Sequence, residues 1–260
     1  SMKPHFAPLI GTTLAIVTII TCYLTATSLG HVVYWLPDIT HTGLHAPERF
    51  FFRIGFLPAC LLFTISWHLI AVFTSPLKHH SLFNQHELLL DESLQKSISS
   101  NNTTSTRVTN CEVLSHKIGC WLGQFAGIML FIGSAVMEEP AETLWDLHII
   151  CASGFFLVTF VANILFLYSV RKHSIISSTS IRLKSIFIFI QFLLIMANII
   201  TTIVQNSEGK TRGKTRFPGG PFIEWLITIS QLCFYMSFVT DLKLLQAKFI
   251  IDDMDLIKRD

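Results

Sequence analysis

The chain has 260 residues, 51% hydrophobic and only 14% charged, with 22 phenylalanines and a formal net charge of +2. Soluble domains carry about 25% charged residues, and nucleic-acid surfaces need a basic block that is missing here, so both classes are excluded. The mean hydropathy of +0.54 and the segregation of charge point to a membrane protein instead: 54–77, 118–137, 147–170 and 185–207 contain no Asp, Glu, Lys or Arg. A run of about 18 apolar residues is long enough to cross a hydrocarbon core as a helix.

In chain order, the sequence predicts an all-α polytopic bundle of six transmembrane helices, at about 7–29, 54–75, 118–137, 147–170, 185–205 and 222–240. The first reads as a retained signal anchor, being longer than a signal-peptide core. Residues 1–245 form the transmembrane domain, with a polar loop at 76–117 and a charged tail at 246–260. With both termini cytoplasmic, thirteen of the nineteen Lys and Arg residues fall on the cytoplasmic side, as the positive-inside rule favours. The loop 76–117 and the tail are then cytoplasmic. The two overlapping acceptor sequons at Asn101-Asn102-Thr103-Thr104 are expected to carry no glycan in that orientation.

Polar residues inside the spans fall on defined faces. Glu224, Thr228, Gln231 and Tyr235 share one side of the sixth helix, and Gln191, Asn198, Thr202 and Gln205 one side of the fifth. The second helix carries Thr64 and His68 one turn apart, and the fourth carries His148 near its entrance and Asn163 deeper. These groups either hydrogen-bond between helices or line a polar cavity. The candidate cavity residues are His68, Gln191, Asn198, Gln231 and Asp241. Gly119, Gly123 and Gly127 recur every four residues on the third helix and predict a close contact between helices of one chain. Five of the six cysteines lie in apolar spans and no Cys/His ligand spacing occurs, so no metal or cofactor is indicated.

The most specific segment lies in the first loop: Leu36-Pro37-Asp38-Ile39-Thr40-His41-Thr42-Gly43, then Pro47-Glu48-Arg49-Phe50-Phe51-Phe52-Arg53. Pro37-Asp38 and Thr42-Gly43 are turn formers, Pro47 suits a helix start with Glu48 at the positive end of the dipole, and Tyr34 and Trp35 suit the membrane interface. This pattern resembles the signature of the Frag/DRAM/Sfk family of multi-pass membrane proteins. Three later features agree: His148 at the mouth of the fourth helix, Glu224-Trp225 opening the last one, and Asp241 closing it. The Arg49…Arg53-Ile54-Gly55 run is similar to the post-GPI-attachment factor 2 and Cwh-like branch, whereas Gly30-His31 and Leu36-Pro37 are similar to the damage-regulated autophagy modulators.

The resemblance implies membrane lipids as partners, with GPI-anchored lipids as candidate substrates. On the first branch the function is lipid handling such as fatty-acid remodelling of GPI anchors in the endoplasmic reticulum or Golgi. His148 would then be a candidate general base, with Glu224 or Asp146 orienting it. The second branch implies a non-enzymatic modulator of autophagy or membrane lipid organisation at the lysosome or plasma membrane. A channel or transporter is the third alternative, and no ring of charges or inverted repeat supports it.

Overall fold

The computed structural model describes residues 3–32, 36–75, 109–137, 142–171, 176–207 and 219–257. The Tyr34–Trp35 pair, most of the polar loop with its sequons, most of the segment between the fifth and sixth helices and the last three residues lie outside that set. Among the described residues the chain is all-helical: α1 (Phe6–Ser28), α2 (Glu48–Phe73), α3 (Asn110–Ala135), α4 (Glu142–Arg171), α5 (Ser178–Ser207) and α6 (Gly219–Ile257), with a single 3-10 turn at His41–Gly43. Each of the six contains a stretch long and apolar enough to cross a membrane, so the chain is an integral multi-pass membrane protein.

The helices outrun the apolar windows that announce them. Hydropathy marks where a helix lies in hydrocarbon, whereas caps decide where it ends. Thus α3 starts at Asn110 because Thr109 and Glu112 form a reciprocal capping box, which satisfies two orphan N–H groups at the helix start. The loop before it is shorter than expected by eight residues. Helix α5 starts at Ser178, seven residues before the predicted start at 185, so Arg182 and Lys184 lie inside the helix. Helix α6 continues to Ile257, through most of the segment read as a tail. At the end of α1, Gly30 adopts φ +71°, a left-handed conformation that glycine tolerates. Gly30 N–H donates to Thr27 O and His31 N–H to Ala26 O, the paired bonds of a Schellman motif, which turns His31 back toward α2.

The helices form a ring in chain order, with extensive packing of α1 on α2, α2 on α3, α3 on α4 and α5 on α6, closed by α6 on α1. Apolar surface gains nothing by leaving lipid tails for a neighbouring helix, so close backbone approach and polar contacts must hold such a bundle. The α3 glycines supply the first. A side chain at Gly119 would press on α4 at Phe166, and one at Gly123 or Gly127 would overlap Trp67 or Thr64 of α2. The small-residue ridge is therefore used twice within the chain, against helices on both sides. Helix α5 is the outlier, with only 6% of its apolar window buried.

Candidate functional site: a mostly apolar cavity under the first loop

The signature loop folds as a roof over one end of the bundle. Trp225 Nε1–H donates to Pro37 O at 2.8 Å, Arg53 Nη2 donates to Met137 O at 3.1 Å, and Arg49 donates through Nε and Nη2 to Leu44 O. Glu48 is fully buried in the first turn of α2, 2.6 Å from His31 Nδ1. Asp38 meets His41 at 3.0 Å. Gly43 has Phe52 and Met137 packed against it, closer than any added Cβ would allow. Of the signature residues, Pro37, Gly43, Glu48 and Arg53 thus tie the loop to its surroundings, Asp38 and Arg49 make contacts within the loop itself, and Pro47 precedes the first residue of α2. That is a structural role read directly from contacts.

Beneath the roof lies a narrow, partly open cavity. Thr40, Ser134, His148, Glu224, Thr228 and Gln231 give it a polar side, and Phe52, Phe56, Phe63, Phe155 and Phe156 an aromatic one. Along α6 the lining runs from Glu224 to Tyr235, eleven residues or about 16 Å of helix. Tyr235 forms the floor: its ring stacks on Phe63 with centroids 4.3 Å apart, and its hydroxyl accepts from Trp67 Nε1–H at 3.0 Å.

His148 stands at the top of this space, 4% exposed. Its Nδ1 lies 2.8 Å from Gly133 O. A carbonyl can only accept, so Nδ1 carries the proton and Nε2 presents its lone pair. That lone pair faces the Thr40 hydroxyl at 3.2 Å. Trp145 stacks on the imidazole, with centroids 5.6 Å apart. The ring is therefore oriented by a backbone carbonyl and an indole. Asp146 is exposed and does not serve as its orienting partner. Glu224 lines the same cavity, so the structure brings His148 and Glu224 into one space.

The other sequence-derived candidates divide. Gln231 lines the cavity and accepts from both Gln191 Nε2–H, at 2.9 Å, and Asn163 Nδ2–H, at 3.5 Å. This triad joins α4, α5 and α6 and leaves Gln231 Nε2 buried without a partner. Gln191 belongs to the triad but not to the lining. Asp241 is buried elsewhere, ten residues or about 15 Å of helix below Gln231. Two residues lie outside altogether. His68 is exposed because Trp67 takes the inward position on α2, and Asn198 is exposed because α5 buries no side chain from 192 to 204. Helical register placed both on a shared face, but a face counts only where a neighbouring helix covers it.

Sequence reasoning missed Lys184, which is fully buried and donates from Nζ to Asp241 Oδ2 at 2.6 Å. A signal existed: Lys184 lies one heptad before Gln191 on the predicted α5 stripe, and extending that stripe toward the N-terminus reaches it. Thr40 was read only as part of the first-loop signature and not as a cavity residue, and Ser134, one hydroxyl in an apolar helix, was missed.

Compared with known proteins, residues 5–245 match the family model described as the Frag1/DRAM/Sfk1/Cwh43P N-terminal domain. No curated protein and no solved structure matches the chain.

Proposed function

We propose a lipid-handling role from one premise: this chain belongs to the Frag1/DRAM/Sfk1/Cwh43 family. The observation that carries the proposal is the shape and polarity of the cavity under the first loop. Its polar cluster of Thr40, His148 and Glu224 lies at the roofed end, and its floor at Phe63 and Tyr235 lies about 16 Å deeper, near the middle of the α6 span. A lipid in the leaflet on the loop side has the same layout, with a polar linkage at the edge of the hydrocarbon and a chain reaching toward the midplane. The aromatic wall offers packing for the chain, and the carboxylate, imidazole and hydroxyls offer hydrogen bonds for the linkage or headgroup.

The finer reading is fatty-acid remodelling of GPI anchors in the endoplasmic reticulum or Golgi, with cytoplasmic termini and the cavity opening toward the lumenal leaflet. In that reaction His148 Nε2 would take the proton of a hydroxyl that attacks the ester carbonyl of the acyl chain and return it to the alcohol oxygen that leaves as the acyl–oxygen bond breaks, Nδ1 being tied to Gly133. Glu224 would hold a polar group of the substrate. A channel is disfavoured because the aromatic side chains of Phe63, Trp67, Phe166, Phe234, Tyr235 and Phe238 fill the interior below Gln231.

The test uses cells lacking the protein, complemented with the unmodified chain or His148→Ala. Mass spectrometry of acyl chains on a GPI-anchored surface protein is expected to show an altered composition that only the unmodified chain corrects. Normal acyl composition together with lysosomal residence of the protein would refute the remodelling reading and favour a non-enzymatic modulator.

A further inference from the structure

The cavity has five sides that the fold closes. The roof is sealed by the Thr40–His148 and Trp225–Pro37 hydrogen bonds, with Ile39 and Leu44 buried beneath it. The floor is the Phe63–Tyr235 stack backed by Trp67. Between α3 and α4, Gly133 packs against Cys151 and the α4 backbone at the level of His148, and between α2 and α3, Gly127 packs against Thr64 beside the floor. Behind α2 and α6, α1 packs on both, with Tyr23 edge-on to Trp225 at 5.9 Å.

The sixth side differs. The backbones of helices α4 and α6 stay apart; their side chains meet at Gln231, which accepts from Asn163, and below it, where Phe166 packs edge-on to Phe238, and α5 bridges the two helices at the same level. It does so in its first half. Gln191 bonds to Gln231, and Phe192 stacks on Phe160 of α4 with centroids 6.3 Å apart. Above that level no residue of α5 lines the cavity and none from 192 to 204 is buried. On α4, the face that meets α5 at Asn163 and Phe160 continues upward as Phe156 and Ala152, which are half-buried and line the cavity. On α6, Gln231 gives way to Thr228 and Glu224, also half-buried and also lining it.

We infer that the cavity is loaded sideways: an acyl chain of a glycerolipid in the loop-side leaflet slides between α4 and α6, above the Gln191–Gln231 contact. The inference rests on the lipid-binding reading and adds the route. Lateral entry keeps the chain in hydrocarbon throughout, so it is never exposed to water. The polar linkage travels at the level of Glu224 and Thr228, and the chain drops along Phe156 toward Phe63. The lower half of α5, held by Gln191 and Lys184, sets the lower limit of the opening.

The full chain is reconstituted in phosphatidylcholine vesicles, which are rapidly fused with vesicles of phosphatidylcholine bearing a diazirine at the end of one chain. Samples are illuminated at timed intervals, and the label on peptides containing Phe63 and Tyr235 is measured by mass spectrometry. The unmodified protein is expected to become labelled there. Ala152→Trp, narrowing the gap from α4, and Thr228→Phe, narrowing it from α6, are each expected to slow labelling about tenfold without lowering its plateau, as a gated step should. Leu24→Trp, on the exposed face of α1, should leave the rate unchanged. Either narrowing variant carries the test if the other fails to give a monodisperse protein. Unchanged rates in the folded variants, with or without a lower plateau, would overturn the route while leaving the lipid reading intact. No label at Phe63 or Tyr235 in the unmodified protein would overturn the lipid reading and the route together.

Discussion

Removing one member of the Lys184–Asp241 pair should destabilise the bundle far more than removing both. Lys184 Nζ donates to Asp241 Oδ2 and Ser237 Oγ, each at 2.6 Å, and to Ser180 Oγ at 3.0 Å. It also lies 5.1 Å from the centroid of the Phe238 ring and 5.6 Å from that of Phe234. Both charged side chains are fully buried. Stripping one partner from a buried pair leaves an uncompensated charge and costs about 3–5 kcal/mol. The two halves differ in their means of escape. Lys184 lies six residues into α5, about 9 Å from its start, and its aliphatic stem can carry the ammonium toward the interface. Asp241 has no such reach, and its second oxygen already lacks a partner. Asp241→Asn should therefore cost about 3 kcal/mol and Lys184→Met about 5 kcal/mol. The double variant Lys184→Met/Asp241→Leu, which removes both charges, should fall within about 1 kcal/mol of the unmodified chain. The assay is reversible unfolding in mixed micelles, followed by tryptophan fluorescence. Single variants costing under about 1 kcal/mol each, or a double variant whose loss equals the sum, would refute the reasoning.

Three further perturbations probe the roof, the glycine ridge and the start of α3. Trp225→Phe keeps the ring but removes the bond to Pro37 O; it should cost about 1 kcal/mol and speed proteolysis within the first loop. Gly123→Ala places a methyl group on the Trp67 ring and should cost about 1–3 kcal/mol through overpacking. Gly220→Ala, where nothing lies within 4 Å, should cost no stability in the same unfolding assay. Thr109→Ala breaks the capping box and should cost about 1 kcal/mol, with faster amide exchange at 110–113 as the local readout.

Much of the fold was legible because hydrophobic runs must match the bilayer, which makes the number of crossings the strongest signal in such a sequence. The ends of the helices were less legible. Thr109 and Glu112 stop α3 from fraying through hydrogen bonds that hydropathy does not register, and α5 tolerates Lys184 in its apolar body only because Asp241 approaches from α6. The site was legible on α6, where Glu224, Thr228, Gln231 and Tyr235 line one space as their register implies. It failed on α5 beyond Gln191 and at His68. Periodicity tells which residues share a face, but not whether another helix covers that face. The aromatic wall was hidden for a different reason: with 22 phenylalanines in the chain, no pattern separates those lining a cavity from those facing lipid.

The central claim is that the cavity under the first loop holds a lipid chain. It is tested most directly by native mass spectrometry of the protein released from lipid nanodiscs, compared with Leu232→Trp, which fills the cavity from α6, and Ile16→Trp on the exposed face of α1. One lipid of defined mass is expected to resist stripping from the unmodified chain and from Ile16→Trp, and to be lost from Leu232→Trp. A bare protein, or a lipid ladder that is the same in all three, would contradict it.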